Sequence, residues 1–190
     1  MIVETNIPFI NILTPKAIWS GVKKLHPNKF DFDPFTSINA NKFINAKFIR
    51  TLDTGEHSDK DYLGAHSVYT FPPNIQEALH IIDVYVSLYT IKTVFMVLPF
   101  LDYDKITLNR LLTYSNVYTI ITEEYGWVNE YSNKPMTYNS KFIQTRFMLL
   151  IFTRLESKIG YYRKKVPVNW FLYQNLSKKE VSNGKVYFNI

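Results

Sequence analysis

Residues 68 to 100 constrain this chain more than any other stretch. Val68-Tyr69-Thr70-Phe71 is a β-branched and aromatic run. Pro72-Pro73 stops it hard, because proline has no N–H to give to a ladder. Asn74 to Tyr89 then places Ile75, Leu79, Ile82, Val86 and Tyr89 at steps of three and four, the spacing of one helical face. Ile91 to Phe100 returns to β-branched and aromatic residues bounded by Pro99, the composition of a buried central strand. Strand, helix and strand in that order predict a layered α/β fold.

The flanking segments repeat the alternation. Thr14 suits an N-cap and Pro15 a first helical position, and Ile18, Val22 and Leu25 continue at helical spacing, predicting a helix over 15–25 that Pro27 ends. Phe30-Asp31-Phe32-Asp33 alternates apolar and acidic residues, predicting a short strand that ends in a loop at Pro34. Residues 51–65 are polar and contain two glycines, predicting an irregular loop. A helix over 104–112, a strand over 117–122, a turn-rich stretch over 123–139 and a strand over 142–152 complete the pattern. The expected fold is a single α/β domain with a mostly parallel central sheet. Residues 1–155 form its body, and 156–190 are a basic, aromatic C-terminal segment of the same domain.

Composition narrows the function classes. With 190 residues and 46% hydrophobic content, the chain is long enough for one well-filled core and short for two. It contains no cysteine, which excludes disulfides, thiolate metal sites and thiol nucleophiles and fits a reducing, intracellular compartment. No secretory leader is visible in the first residues, and the longest apolar run, Ile91 to Leu101, contains Lys92 and is too short to span a bilayer. No membrane association is expected. Abundant Asn, Lys, Ile, Tyr and Phe suit an AT-rich genome such as that of a virus or mobile element. The net charge of +6 favours anionic partners. The scattered glycines form no phosphate loop, and no nucleophile elbow occurs. His57 and His66 share a polar loop with Asp59 and Asp61, a pattern expected of solvated side chains rather than a metal site.

Three blocks carry a family resemblance: Thr14-Pro15 ahead of the first helix; Phe30-Asp31-Phe32-Asp33-Pro34-Phe35-Thr36-Ser37-Ile38-Asn39-Ala40; and Val68 to Asn74, followed by a helix and Val94-Phe95-Met96-Val97-Leu98-Pro99. Their order and spacing resemble the phage-type, Dam-like DNA adenine-N6 methyltransferases over roughly residues 12–152. The resemblance implies a single Rossmann-like, methyltransferase-type domain with an S-adenosylmethionine pocket lined by Thr14, Pro15, Asp33 and Pro34, with Ser37 or Asn39. Asp59 or Asp61 would face the ribose. In a Rossmann-like sheet such a pocket lies at the carboxyl ends of strands.

One departure bears on the chemistry. In the family an Asn or Asp precedes the two prolines and accepts hydrogen bonds from the target amino group, and an aromatic residue after them stacks on the extruded base. Here the block is Phe71-Pro72-Pro73-Asn74, with the two residue types exchanged. Two readings follow: an adenine methyltransferase with a rebuilt catalytic turn at Phe71, Pro72, Pro73 and Asn74, or an inactive methyltransferase-like module that binds nucleic acid or a protein partner. DNA or RNA is the expected partner. Arg154, Tyr161, Tyr162, Arg163, Lys164 and Lys165 form a basic, aromatic cluster suited to phosphates and stacked bases. Trp127 and Tyr131 sit where the family carries a target-facing loop.

Overall fold

The computed structural model describes residues 12–13, 16–36, 41–42, 44–51, 58–100, 103–126, 128–129, 137–138, 141–142, 144–165 and 170–172. Thr14, Pro15, Ser37, Asn39, Trp127 and Tyr131 lie outside them. The elements are β1 (Ile12–Leu13), α1 (Lys16–Leu25), β2 (Phe32–Thr36), β3 (Phe48–Thr51), a 3-10 turn (Asp59–Tyr62), β4 (Ser67–Thr70), α2 (Ile75–Ser87), β5 (Thr93–Pro99) and α3 (Lys105–Tyr114). There follow β6 (Val117–Gly126), β7 (Val128–Asn129), β8 (Thr137–Tyr138), β9 (Lys141–Phe142), β10 (Gln144–Thr153), α4 (Glu156–Lys165) and β11 (Trp170–Leu172).

Seven strands form one sheet in the order β11-β6-β10-β5-β4-β2-β3. The β2–β3, β2–β4 and β4–β5 pairs are parallel. Strand β10 runs antiparallel to both β5 and β6, so β6 points the same way as β5. Strand β11 runs antiparallel to β6. The sheet is therefore mostly parallel, with helices on both faces, a Rossmann-like α/β arrangement. No helix among the described residues is long and apolar enough to cross a membrane.

The period-two alternation of the central strands sorts their side chains into two cores. Phe95 and Val97 of β5, with Phe147, Leu149 and Ile151 of β10, pack under Ile18, Val22 and Leu25 of α1 and Tyr162 of α4. Val94, Met96 and Leu98, with Met148, Leu150 and Phe152, pack under Ala78, Ile81 and Ile82 of α2 and Leu111 of α3. Of the C-terminal segment, the described residues 156–165 and 170–172 pack on this body: Tyr162 is buried in the first core and β11 pairs with β6.

Several expectations are corrected in detail. β2 passes through Pro34 and ends at Thr36. Its pairing with β3 shifts between Asp33 and Thr36, as a proline inside a ladder requires. The polar 51–65 stretch is preceded by a strand that was not expected, β3, and contains the 3-10 turn. In α2 the buried face is Ala78, Ile81, Ile82, Val84 and Tyr85, whereas Val86 and Tyr89 are exposed. Nearly every residue from Ala78 to Val86 is apolar, so periodicity alone admitted two faces, and the sheet selected one.

Candidate functional site

The strand order creates one place where consecutive connections diverge. The connection leaving β2 goes to β3 on one side, and the connection leaving β4 goes to β5 on the other. At such a switch point the loops beyond the carboxyl ends part and open a crevice, where Rossmann-like proteins bind ligands. Asp33 and Pro34 lie in the carboxyl half of β2, and Phe71 to Asn74 follow directly on β4. The fold therefore brings Asp33 and Pro34 of the second block and Phe71 to Asn74 of the third to the carboxyl ends of neighbouring parallel strands.

Asp33 is 1% exposed. Its Oδ1 accepts the backbone N–H of Phe35 at 3.2 Å, which turns the chain over Pro34. A carboxylate this deep is costly to keep for packing alone. The Thr70 hydroxyl at the end of β4 is fully buried with no hydrogen-bond partner among the described residues.

The turn after β4 has a different character. Phe71 is only 8% exposed; its ring meets Phe147 edge-on at 6.0 Å and belongs to the core under α1. Pro72 and Pro73 are buried as well. Asn74 is the N-cap of α2, with extended backbone, and its Oδ1 accepts the N–H of Glu77 at 2.9 Å. The ring that could stack on a base faces the core, and the amide oxygen that could accept from an amine is taken up by the helix it starts. Both groups are accounted for by structure.

The acidic residues suggested for a ribose are engaged elsewhere. Asp61 accepts from Arg50 at 2.5 Å and from the Ser58 N–H at 3.0 Å, and Asp59 lies 3.6 Å from His80. Together with Phe32, Phe48, Ile49, Leu63 and Ala65, Arg50 and Asp61 line an open hollow of about 430 Å³ beside edge strand β3. That hollow is displaced from the switch point. No group of three or more metal-ligating side chains occurs among the described residues.

Asp31, two residues before Asp33, has a purely architectural place. Its Oδ2 accepts from the Ser67 N–H, the Ser67 hydroxyl and the His66 N–H at 2.9 to 3.0 Å, and its Oδ1 accepts from Lys47 at 2.7 Å. It thus ties the starts of β2, β3 and β4 together. Burial would raise its pKa, but the bonds from Lys47, Ser67 and His66 outweigh that and hold it below the usual carboxylate value.

The expected nucleic-acid cluster is divided by the fold. Tyr162 is 3% exposed and meets Phe95 edge-on, so its ring cannot receive a base. Arg154 donates to the carbonyls of Ile91 and Tyr85 and lies over the rings of Tyr85 and Tyr89. Arg163 donates to the Asn116 carbonyl at 3.0 Å, while Lys164 and Lys165 are exposed. Tyr161 is partly buried, with the Lys158 ammonium 5.1 Å from its ring centre.

No family model and no curated protein matches the chain. Among solved structures it is similar to a functionally unknown protein from Deinococcus radiodurans R1, with 10% identity, coverage of 75% of this chain and 88% of that one, and a TM-score of 0.36.

Proposed function

We propose that the protein is a methyltransferase-like module that keeps a cofactor-type crevice and binds nucleic acid but does not transfer a methyl group to adenine. One observation carries this reading: Phe71 is part of the hydrophobic core and Asn74 caps a helix, so the Phe-Pro-Pro-Asn turn presents neither an acceptor for an amine nor a platform for a base. Rebuilding the turn would expose a core phenylalanine and uncap α2 together.

The switch-point position of Asp33 supports the crevice half of the reading. Its carboxylate suits the hydroxyl or ammonium groups of S-adenosylmethionine, and the Phe35 N–H donates to its Oδ1. When bound, that cofactor supplies a methyl group on a sulfonium. The residues around the crevice supply binding without a group to orient the acceptor nitrogen.

Calorimetry with S-adenosylmethionine, run beside transfer of a labelled methyl group to DNA and RNA, tests both halves. The expected result is saturable cofactor binding, its loss in Asp33→Asn, and no label on either nucleic acid. Methylated adenine in the product would overturn the inactive reading and restore the methyltransferase one. Cofactor affinity unchanged in Asp33→Asn would remove Asp33 from the pocket.

A further inference from the structure

The net charge of the chain is concentrated on one helical layer. Helices α1 and α4, which cover one face of the sheet, carry seven cationic side chains and one carboxylate. Helices α2 and α3, on the other face, carry two of each. The excess of six on the first layer equals the +6 of the whole chain, so the remainder of the molecule is balanced.

Four of the layer's cations (Lys23, Lys24, Lys158 and Arg163) and several from outside it stand toward one end of the sheet. α1 ends in Lys23 and Lys24, and Lys29 follows in the connection to β2. Lys47 stands just before β3 and Lys92 just before β5. β10 runs the opposite way, so it ends where those strands begin: Thr153 pairs with Thr93, and the Arg154 N–H donates to the Lys92 carbonyl at 2.9 Å. α4 therefore starts at this edge, and Arg163 reaches back to Asn116, which immediately precedes β6. The carboxylates in these segments are Asp31, already bonded to Lys47, and Glu156. The amino-terminal edge of the sheet is thus a cationic rim.

The rim also exposes an aromatic ring. Tyr89, in the connection before β5, is 74% exposed, with the Arg154 guanidinium 4.7 Å from its ring centre. Cations that track phosphates beside a ring that can stack on a base are the composition of a single-strand-tolerant nucleic-acid surface. A membrane-surface helix would need a free apolar face, and that of α4 is used on the core through Tyr162.

We infer that the amino-terminal edge of the sheet, from Lys24 and Lys29 across Tyr89 and Lys92 to Lys158, is a nucleic-acid docking surface at the end of the molecule opposite the crevice. The seven-residue length of β5 puts the two edges about 20 Å apart. A strand held on the rim therefore does not deliver its bases to Asp33, and the two sites fill independently. The inference rests on the nucleic-acid half of the proposed function and is independent of the cofactor half.

Fluorescence anisotropy with labelled single-stranded DNA and RNA of about 30 nucleotides tests it. The double variant Lys29→Glu/Lys158→Glu is compared with Lys60→Glu/Lys105→Glu, which makes the same change of net charge away from the rim. All four side chains are exposed, and thermal melts check that both variants fold. The rim variant should bind at least tenfold more weakly, with a log–log salt slope reduced by about 1.5, and the control should stay within about threefold. Saturating S-adenosylmethionine should leave nucleic-acid affinity unchanged. Equal loss in both variants, no loss in the rim variant, competition by the cofactor, or preferential capture by phosphatidylserine vesicles would each overturn the surface. If S-adenosylmethionine fails to bind, the cofactor reading falls, while the comparison of the two variants still decides the rim.

Discussion

The two edges of the sheet are built on opposite electrostatic terms. At the carboxyl edge the switch point buries one carboxylate, Asp33, at 1% exposure. At the amino edge lysines ring the strand starts, and the acidic residue at their centre, Asp31, is consumed by backbone N–H groups and Lys47. Two aspartates two residues apart thus sit differently, Asp33 buried within β2 and Asp31, just before it, joining three strand starts. The difference shows that acidic residues in a motif cannot be assigned by type. What decides is where the fold places each carboxylate.

The comparison can be broken most forcefully at Phe71. If its ring is core, Phe71→Ala should cost about 3–4 kcal/mol of unfolding free energy, measured by urea denaturation. A ring held out for a base would cost far less, and the turn would then have to be reconsidered as catalytic. The amino edge gives the next largest effect. Asp31→Asn removes a charge-assisted cluster and should cost about 2–3 kcal/mol at neutral pH. Because the folded pKa of Asp31 is lowered, its stabilisation is present above the ordinary value of 3.8 and is lost as the pH falls below it. The stability difference between wild type and Asp31→Asn should accordingly shrink as pH drops from about 5 toward 2. Thermal melts across that range would show it, and a constant difference would mean that the charge of Asp31 is not what joins the strands. The smallest effect is expected at Asn74. Asn74→Ala should cost about 1 kcal/mol as a lost N-cap, whereas Asn74→Asp should leave stability within about 0.5 kcal/mol. A loss confined to nucleic-acid binding, without a loss of stability, would return Asn74 to a ligand role.

Much of this was legible in the chain. The Val68–Pro73 strand and its proline stop, the helix that follows and the strand closed by Pro99 are local consequences of β-branching, missing N–H groups and helical spacing, and they alone dictated an α/β fold. The helix start at Asn74 was legible, whereas the side-chain cap that Asn74 forms came from the structure. Tertiary structure decided the rest. The four-residue strand β3 is too short for a periodic signal and exists because β2 offers it a parallel edge. The face that α2 buries was degenerate in a run of apolar residues until the sheet chose Ala78, Ile81, Ile82 and Tyr85. Tyr162 and Arg154 read as a basic, aromatic ligand surface because composition cannot distinguish a ring on the core from a ring in solvent. The meeting of Asp33 with the Phe71–Asn74 turn, and the gathering of distant lysines on one rim, follow from strand order. That is a property of how long-range parallel pairs close over one another, and local spacing along the chain carries no record of it.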